Sequence, residues 1–411
     1  MKYVCNRCVH DDVLSALILE EGEERVCDYC GVKPNKKHVR SLSIGELSDQ
    51  IYERILWEYS DVDSEMISYD NEDGEYICDT YSTQELLVDQ IGLDARAEVI
   101  SDIAEILPDL TWCKKFLRPA DLAAALEAGW KDFVDLVKYD VRYFFSEPAT
   151  SSTDDADSFP DPEAFGITYD PDAGIPPERI LDALGVIVAR ANLIRTIDSG
   201  TVVFRARVHA SDQHPSTAAE LGPPPREKAS QSNRMSPAGI VMFYGAFDAD
   251  TAIRETFQPS REHAEERVVS VAQFRLNRLA KVLDLTDLPS PPSFFGDYEM
   301  HHGISFIWEF NDDFTKPVAR DGMEHIEYVP TQIVTEYFRY RFQLEDSSRL
   351  DGIMYKSSRN GSPACVLFFD SRDCGAGSAG GTKEPALQIV QEATERFLGS
   401  QLIEPVGPAS K

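Results

Sequence analysis

Apolar and polar positions recur along this chain with two different periods, and the change of period divides it. From 41 to 147 the spacing is helical. Ile44, Leu47 and Ile51 recur at three and four residues, and Glu85 to Ile91, Ala95 to Leu107 and Pro119 to Phe145 read the same way. Leu122, Leu126, Trp130, Phe133, Leu136 and Val137 form a core stripe on the last of these, and acidic stretches such as Asp61 to Tyr76 read as solvated loops. Residues 148–177 are rich in Pro, Ser and Asp and show no period, which predicts a linker. Beyond it short apolar runs dominate. A helix is expected near Glu178 to Ile197. Strands are expected over Thr201 to Val208, Ile240 to Tyr244, Val268 to Leu276, Ala280 to Leu285, Leu350 to Tyr355 and Ala364 to Phe369. Further helices are expected over Thr251 to Thr256, from Tyr328 to about Gln343, and near Pro385 to Leu398, with a loop over 209–232. The organisation predicted is 1–40, 41–147, the linker 148–177, an α+β domain over 178–400 and a tail over 401–411.

Composition narrows this. The 411 residues suffice for two or three domains, and 42% hydrophobic with 27% charged is an ordinary soluble balance. No apolar run is long enough to span a bilayer, and the opening MKYVCNRCVHDD turns polar at once, so neither a membrane partner nor a signal peptide is expected and the chain reads as cytoplasmic. A net charge of −31 argues against nucleic acid as the main partner, which requires a cationic surface, and serves solubility. Four of the eight cysteines form two pairs, Cys5-x2-Cys8 and Cys27-x2-Cys30, the spacing of a zinc ribbon. Four thiolates close a tetrahedron around Zn2+ with no open position, so the site reads as structural, with neither His10 nor His38 as a ligand. Cys78, Cys113, Cys365 and Cys374 read as reduced.

The densest candidate chemistry runs from Asn233 to Glu255. The turn Asn233-Arg234-Met235-Ser236-Pro237-Ala238-Gly239 has a basic, hydrogen-bonding rim. The apolar strand ending at Tyr244 follows, and then a helix that places Glu255 one turn in. Such a strand-to-helix corner suits a dinucleotide, with arginine for phosphate, an aromatic ring for a base and a carboxylate for a ribose hydroxyl. Arg205 and Arg207 alternate onto one face of a strand, where they are costly unless they meet an anion or a carboxylate; a salt-bridged edge strand is the other reading. No histidine lies between His38 and His209, which removes Arg–His ribonuclease chemistry from the helical segment. Gly375 to Gly380 fits G-x-G-x-x-G but lacks a surrounding βαβ unit, and reads as a loop. His301-His302 has no third ligand at a sensible spacing and reads as the edge of a polar strand or helix.

Six blocks in order resemble the RES domain, over roughly 178–400. They are Phe204-Arg205-Ala206-Arg207, Asn233 to Gly239, the Tyr244 strand, Thr251-Ala252-Ile253-Arg254-Glu255, Tyr328-Val329-Pro330-Thr331-Gln332 and Asp351-Gly352-Ile353-Met354-Tyr355-Lys356-Ser357-Ser358. The front half is similar to the cysteine-pair and helical region sometimes called a HEPN/RES N-terminal domain. The resemblance implies an α+β fold with a mixed β core like that of the ADP-ribosyltransferases. It also implies NAD+ as substrate, hydrolysis or phosphorolysis of the nicotinamide–ribose bond in the manner of bacterial toxins, and restraint by an antitoxin. It implies Arg205, Glu255 and Ser357 as catalytic residues, with Arg207, Arg234, Tyr244 and Ser358 binding substrate and Arg207 the nearest competitor of Arg205. Two further readings stand beside this: transfer of ADP-ribose to a macromolecule, and a non-catalytic module that holds an ADP-ribose-like ligand. The front half would sense, bind a partner or assemble homo-oligomers.

Overall fold

The computed structural model describes residues 2–35, 38–70, 75–115, 122–142, 175–177, 179–257, 266–316, 323–344, 346–375, 384–390 and 395–402. All but three residues of the expected linker, the G-x-G-x-x-G motif past Gly375 and the tail past 402 lie outside them. The chain divides into two compact units. One comprises the described residues of Met1–Ala128, Thr168–Ile175 and Ser290–Phe306, and the other those of Gly129–Ile167, Pro176–Pro289 and Ile307–Lys411.

In the first unit β1 (Tyr3–Cys5) pairs antiparallel with β2 (Ser41–Ser43). Between the two cysteine pairs, where a ribbon is expected, the chain forms the helix Asp12–Glu21. Asp11 caps it by accepting from the amides of Val13 and Leu14, and Leu14 and Ile18, one turn apart, are buried. Helix Ile44–Ile55 begins with a capping box in which Ser43 and Glu46 satisfy each other's backbone amides. Helix Ala97–Ile106 buries Val99, Ile100 and Ile103. Two short pairings break the expected all-helical pattern: β3 (Tyr59–Asp61) with β6 (Trp112–Lys114), and β4 (Tyr69–Asp70) with β5 (Glu75–Tyr76).

The segment Ser290–Phe306 completes this unit. Phe294 lies in the same core cluster as Leu47, Ile51 and Trp112. Arg54 donates through Nε to the Phe294 carbonyl at 2.8 Å and through Nη2 to the Gly296 carbonyl at 3.1 Å, with its guanidinium 4.0 Å from the Trp57 ring centre. His302 is not at a polar edge: its imidazole is buried against the Glu58 carboxylate. Burial pushes the Glu58 carboxyl up, but the hydrogen bond and charge of His302, aided by Tyr298, outweigh it and hold that carboxyl below the ordinary value. A carboxyl depressed in this way contributes stability above its unfolded-state pKa and loses it as pH falls through the folded-state value. Glu58→Ala is therefore expected to cost this unit about 3–5 kcal/mol, the usual penalty for orphaning one partner of a buried pair. Urea unfolding at neutral pH, followed by tryptophan fluorescence, would read this as a lower midpoint, and the difference from wild type should shrink on acidification.

The second unit is built on a ten-stranded mixed sheet. Its strands are β7 (Ile194–Ile197), β8 (Val202–Ala210), β9 (Phe243–Ala246), β10 (Arg267–Leu276), β11 (Ala280–Asp284), β12 (Gly352–Lys356), β13 (Pro363–Leu367), β14 (Cys374–Gly375), β15 (Leu387–Ile389) and β16 (Glu395–Leu398). The order across it is β14-β15-β10-β8-β9-β13-β12-β11-β7, and β16 also pairs with β10. Val203, Phe243, Phe274, Val282, Cys365 and Leu387 share one core cluster on this sheet, with the Phe243 and Phe274 rings edge to face at 5.1 Å.

Two expected elements differ here, and the strand expected over Ile240 to Tyr244 is displaced to Phe243–Ala246. The helix expected to run to Ile197 is Ile180–Arg190; Asn192 takes φ +54°, and the chain emerges as β7. The expected terminal helix is β15 followed by β16. Leu387 and Ile389 are buried on either side of Gln388, a period of two, and both strands take up the edge of β10. The stretch holding His301-His302 is part of an 18-residue helix, Tyr298–Thr315. The stripe of helix Leu122–Asp135 is buried as expected at Leu126 and Phe133 and continues at the buried Val137 beyond it, and the Trp130 indole donates to Asp313 at 3.1 Å.

Candidate active site

The site begins where two strands part. β8 pairs with β10 along its whole length but with β9 at one position only, Phe204 opposite Ala246. The ladder goes no further, and the Tyr244 carbonyl instead accepts from Arg205 Nη1 at 2.6 Å. The guanidinium lies 5.3 Å from the centre of the Phe243 ring. Burial pulls Arg205 down to about 10, against the pull of Cys374 and Tyr244, so it remains a cation at neutral pH. Phe243 and Tyr244 face opposite sides of the sheet, so Arg205 meets Tyr244 at its backbone and not at its ring.

The Tyr244 ring is fixed from the other end by the turn that precedes its strand. Asn233 and Ser236 bridge each other's backbones, and the buried Ser236 hydroxyl is 2.8 Å from the Tyr244 hydroxyl. Burial raises Tyr244 to about 12 even though Ser236, the Met235 backbone and the charges of Arg205 and Arg234 oppose it; the phenol is neutral. Arg234 extends from the same turn and donates through Nη1 to the Phe314 carbonyl at 2.9 Å.

Glu255 comes from helix Ala249–Thr256, whose start is set by Asp248. That carboxylate accepts from the Thr251 amide and from the Thr251 hydroxyl, both at 2.7 Å. At the second turn Glu255, half-buried, accepts a hydrogen bond from the Ser357 hydroxyl, 102 residues away in sequence. Ser357 is itself held by the tight turn after β12. Its amide donates to the Ser362 carbonyl at 2.9 Å, its carbonyl accepts from Gly361 at 2.8 Å, and Gly361 takes φ +74°. Asn360 then donates to Thr251 Oγ1 at 2.9 Å, which docks the turn on the start of the Glu255 helix.

The register sets a further aromatic group here. Tyr355 is opposite Ala364, Ala364 is opposite Ala246, and Tyr244 is two residues along from Ala246, so the two tyrosines rise from one face. Burial, then the charge of Glu255 and the neighbouring Tyr244, raise the buried Tyr355 hydroxyl well above its ordinary value. The sequence reading gives Tyr355 no role, yet its period-two spacing from Ser357 is the signal that it shares this face. Arg207 and Ser358 are not brought to it. Both are exposed, and Arg207 donates to the Glu220 carbonyl.

In the first unit Cys5, Cys8, Cys27 and Cys30 come together, with all four sulfurs within 4.8 Å of one another. Cys5 is 3.8 Å from Cys8 and 3.6 Å from Cys30, and Cys8 is 3.8 Å from Cys27. Tetrahedral thiolates about 2.3 Å from one ion would stand about 3.8 Å apart, so the cluster fits a metal. Burial pushes Cys5 up to about 11 and Cys8 higher still. Burial acts the same way on Cys30, but hydrogen bonds from the Val32 backbone and the other thiols prevail and lower it. The Arg96 amide donates to the Cys8 carbonyl at 2.9 Å, an outer contact of the kind that orients metal ligands. Among the described residues no helix is long and apolar enough to cross a membrane.

Comparison with known families adds two matches. HEPN/RES N-terminal domain 1 matches residues 20–151, and the RES domain matches residues 202–386. No curated protein and no solved structure matches the chain.

Proposed function

Because the chain is a RES-domain protein with a HEPN/RES N-terminal domain 1 ahead of that domain, we propose that it cleaves the nicotinamide–ribose bond of NAD+. RES domains are linked to NAD+-related toxin activity, which makes an NAD+-processing enzyme the coarse reading. The observation that carries the finer one is the meeting of Glu255 and Ser357 beside Tyr244 and Tyr355. Loss of nicotinamide leaves an oxocarbenium-like ribose. A fixed carboxylate can hold the ribose hydroxyls and stabilise the developing positive charge, and this is the part of Glu255. Ser357 aims that carboxylate and offers a hydroxyl to the nicotinamide ribose or amide. Tyr244, neutral and tied to Ser236, supplies a ring for nicotinamide to stack on. Arg234 grips the diphosphate, while Arg205, on the Phe243 side of the sheet, holds the Tyr244 backbone from behind, and the exposed Arg207 and Ser358 stand outside this face. We also assign a structural Zn2+ to the four-cysteine cluster, since all four positions would be filled by protein.

The test is product analysis by mass spectrometry after incubating the purified protein with NAD+, with and without phosphate, alone and with cell lysate. Nicotinamide with free ADP-ribose marks hydrolysis, and ADP-ribose 1″-phosphate marks phosphorolysis. Labelled protein or nucleic acid in the lysate, without free ADP-ribose, assigns the same residues to an ADP-ribosyltransferase. NAD+ left intact in every arm overturns the reading.

A further inference from the structure

The turn that bears Arg234 also fixes Tyr244 through Ser236, so two proposed substrate contacts hang from one short loop. Loops of this kind hold their shape only when something over-determines them. Beside the Arg234–Phe314 and Ser236–Tyr244 contacts, that support comes from helix Val329–Glu336, about a hundred residues further on. Gln332 Nε2 donates to Ser232 Oγ at 2.8 Å and to the Asn233 carbonyl at 2.7 Å, so both of its N–H groups are used. Thr331 Oγ1 donates to the Arg234 carbonyl at 2.5 Å. Three consecutive residues, Ser232, Asn233 and Arg234, are thus tied in turn to two neighbouring side chains. Both side chains are buried, Thr331 at 8% and Gln332 at 7% exposure. Buried polar side chains cost stability unless satisfied, and an apolar residue would suit a helix face with Val334 fully buried beside it. The partners that satisfy these two lie in the turn, apart from a second, local contact of Thr331 with the Tyr328 carbonyl at 3.0 Å.

We infer that Thr331 and Gln332 are positioning residues that set the Arg234 guanidinium for the diphosphate of a dinucleotide. The inference rests on the NAD+-cleaving reading. A turn released from the helix would let Arg234 and the Ser236–Tyr244 pair sample other positions. Substrate and transition state would then lose the same contact, because the diphosphate does not change during cleavage. That predicts a rise in KM with kcat little changed. Loss of correctly folded enzyme would instead lower kcat and leave KM alone.

The experiment is steady-state kinetics with NAD+ on Gln332→Met, Thr331→Val, Thr331→Ser, Arg234→Ala and the double variant Gln332→Met/Arg234→Ala, with ADP-ribose binding measured by calorimetry on each. Gln332→Met and Thr331→Val are expected to raise KM about tenfold, as the loss of one or two buried hydrogen bonds would. Thr331→Ser keeps the hydroxyl and should stay within about twofold of wild type. If Gln332 acts through Arg234, the double variant should be no worse than Arg234→Ala alone. Unchanged KM in Gln332→Met, a fall in kcat alone, or additive losses in the double variant overturn the inference. A wild-type protein that neither cleaves NAD+ nor binds ADP-ribose overturns the underlying reading, and this one with it.

Discussion

Glu255→Gln is expected to lower NAD+ cleavage by about a thousandfold, the upper range for removing one preorganised electrostatic contact to a transition state. The substitution is nearly isosteric. It keeps an oxygen that can accept from Ser357, leaves the Asp248 cap of the helix untouched, and removes only the charge. A loss of rate can therefore be read as lost stabilisation of the positive ribose. Ser357→Ala should cost less, about ten- to a hundredfold, because it leaves the carboxylate in place but frees it to turn. Nicotinamide release measured at saturating NAD+, with circular dichroism to confirm the fold, separates these. Cleavage by Glu255→Gln within threefold of wild type would remove Glu255 from the site.

The second large effect is expected in the other unit. Stripping the metal with a strong chelator, or replacing Cys8 with Ser, should unfold it. Structural Zn2+ supplies about 10–16 kcal/mol in small domains, as much as the whole stability of an ordinary one. The helix Ala97–Ile106 is tied to this cluster: the Arg96 amide at its start donates to the Cys8 carbonyl at 2.9 Å. Tyr29, inside the second pair, donates to Asp102 at 2.5 Å, and Lys2 pairs with the same carboxylate at 2.6 Å. The measurements are bound metal by elemental analysis and the fluorescence of Trp112, which is fully buried. One zinc per chain and a collapse of that signal on chelation are expected. A metal-free protein with the native signal would show the four thiols to be a packing cluster only.

What could be read from the sequence depended on how local its cause is. Asp248 ahead of the Thr251–Glu255 run is a cap signal carried in four residues, and the helix forms there. The paired cysteines are equally local, and the sulfurs meet. The Leu387–Ile389 strand was not legible as such: three residues fit a helical period as well as an alternating one, and only the open edge of β10 decides between them. Helix Tyr298–Thr315 was hidden for a related reason. Its apolar positions, Ile304, Ile307, Phe310 and Phe314, are interrupted by His301-His302-Gly303 and Asn311-Asp312-Asp313, and His302 turns inward because Glu58 awaits it. In the candidate site the sequence supplies the residue types but not their grouping. That Ser357 meets Glu255, that Arg205 spends a hydrogen bond on a backbone carbonyl, and that Arg207 turns toward Glu220 are outcomes of register across the sheet.

The placement of Ser290–Phe306 has a consequence for how such proteins can be inherited. The first unit is not a detachable leader, because Phe294 fills its core and Arg54 holds the backbone of a stretch encoded well inside the enzyme half. A recombination event that joined a foreign front half at residue 178 would bring neither the cavity for Phe294 nor the partner for His302. The two separated pieces must therefore be exchanged together or not at all. Lineages that acquire a new front half should carry a rewritten 290–306 segment along with it.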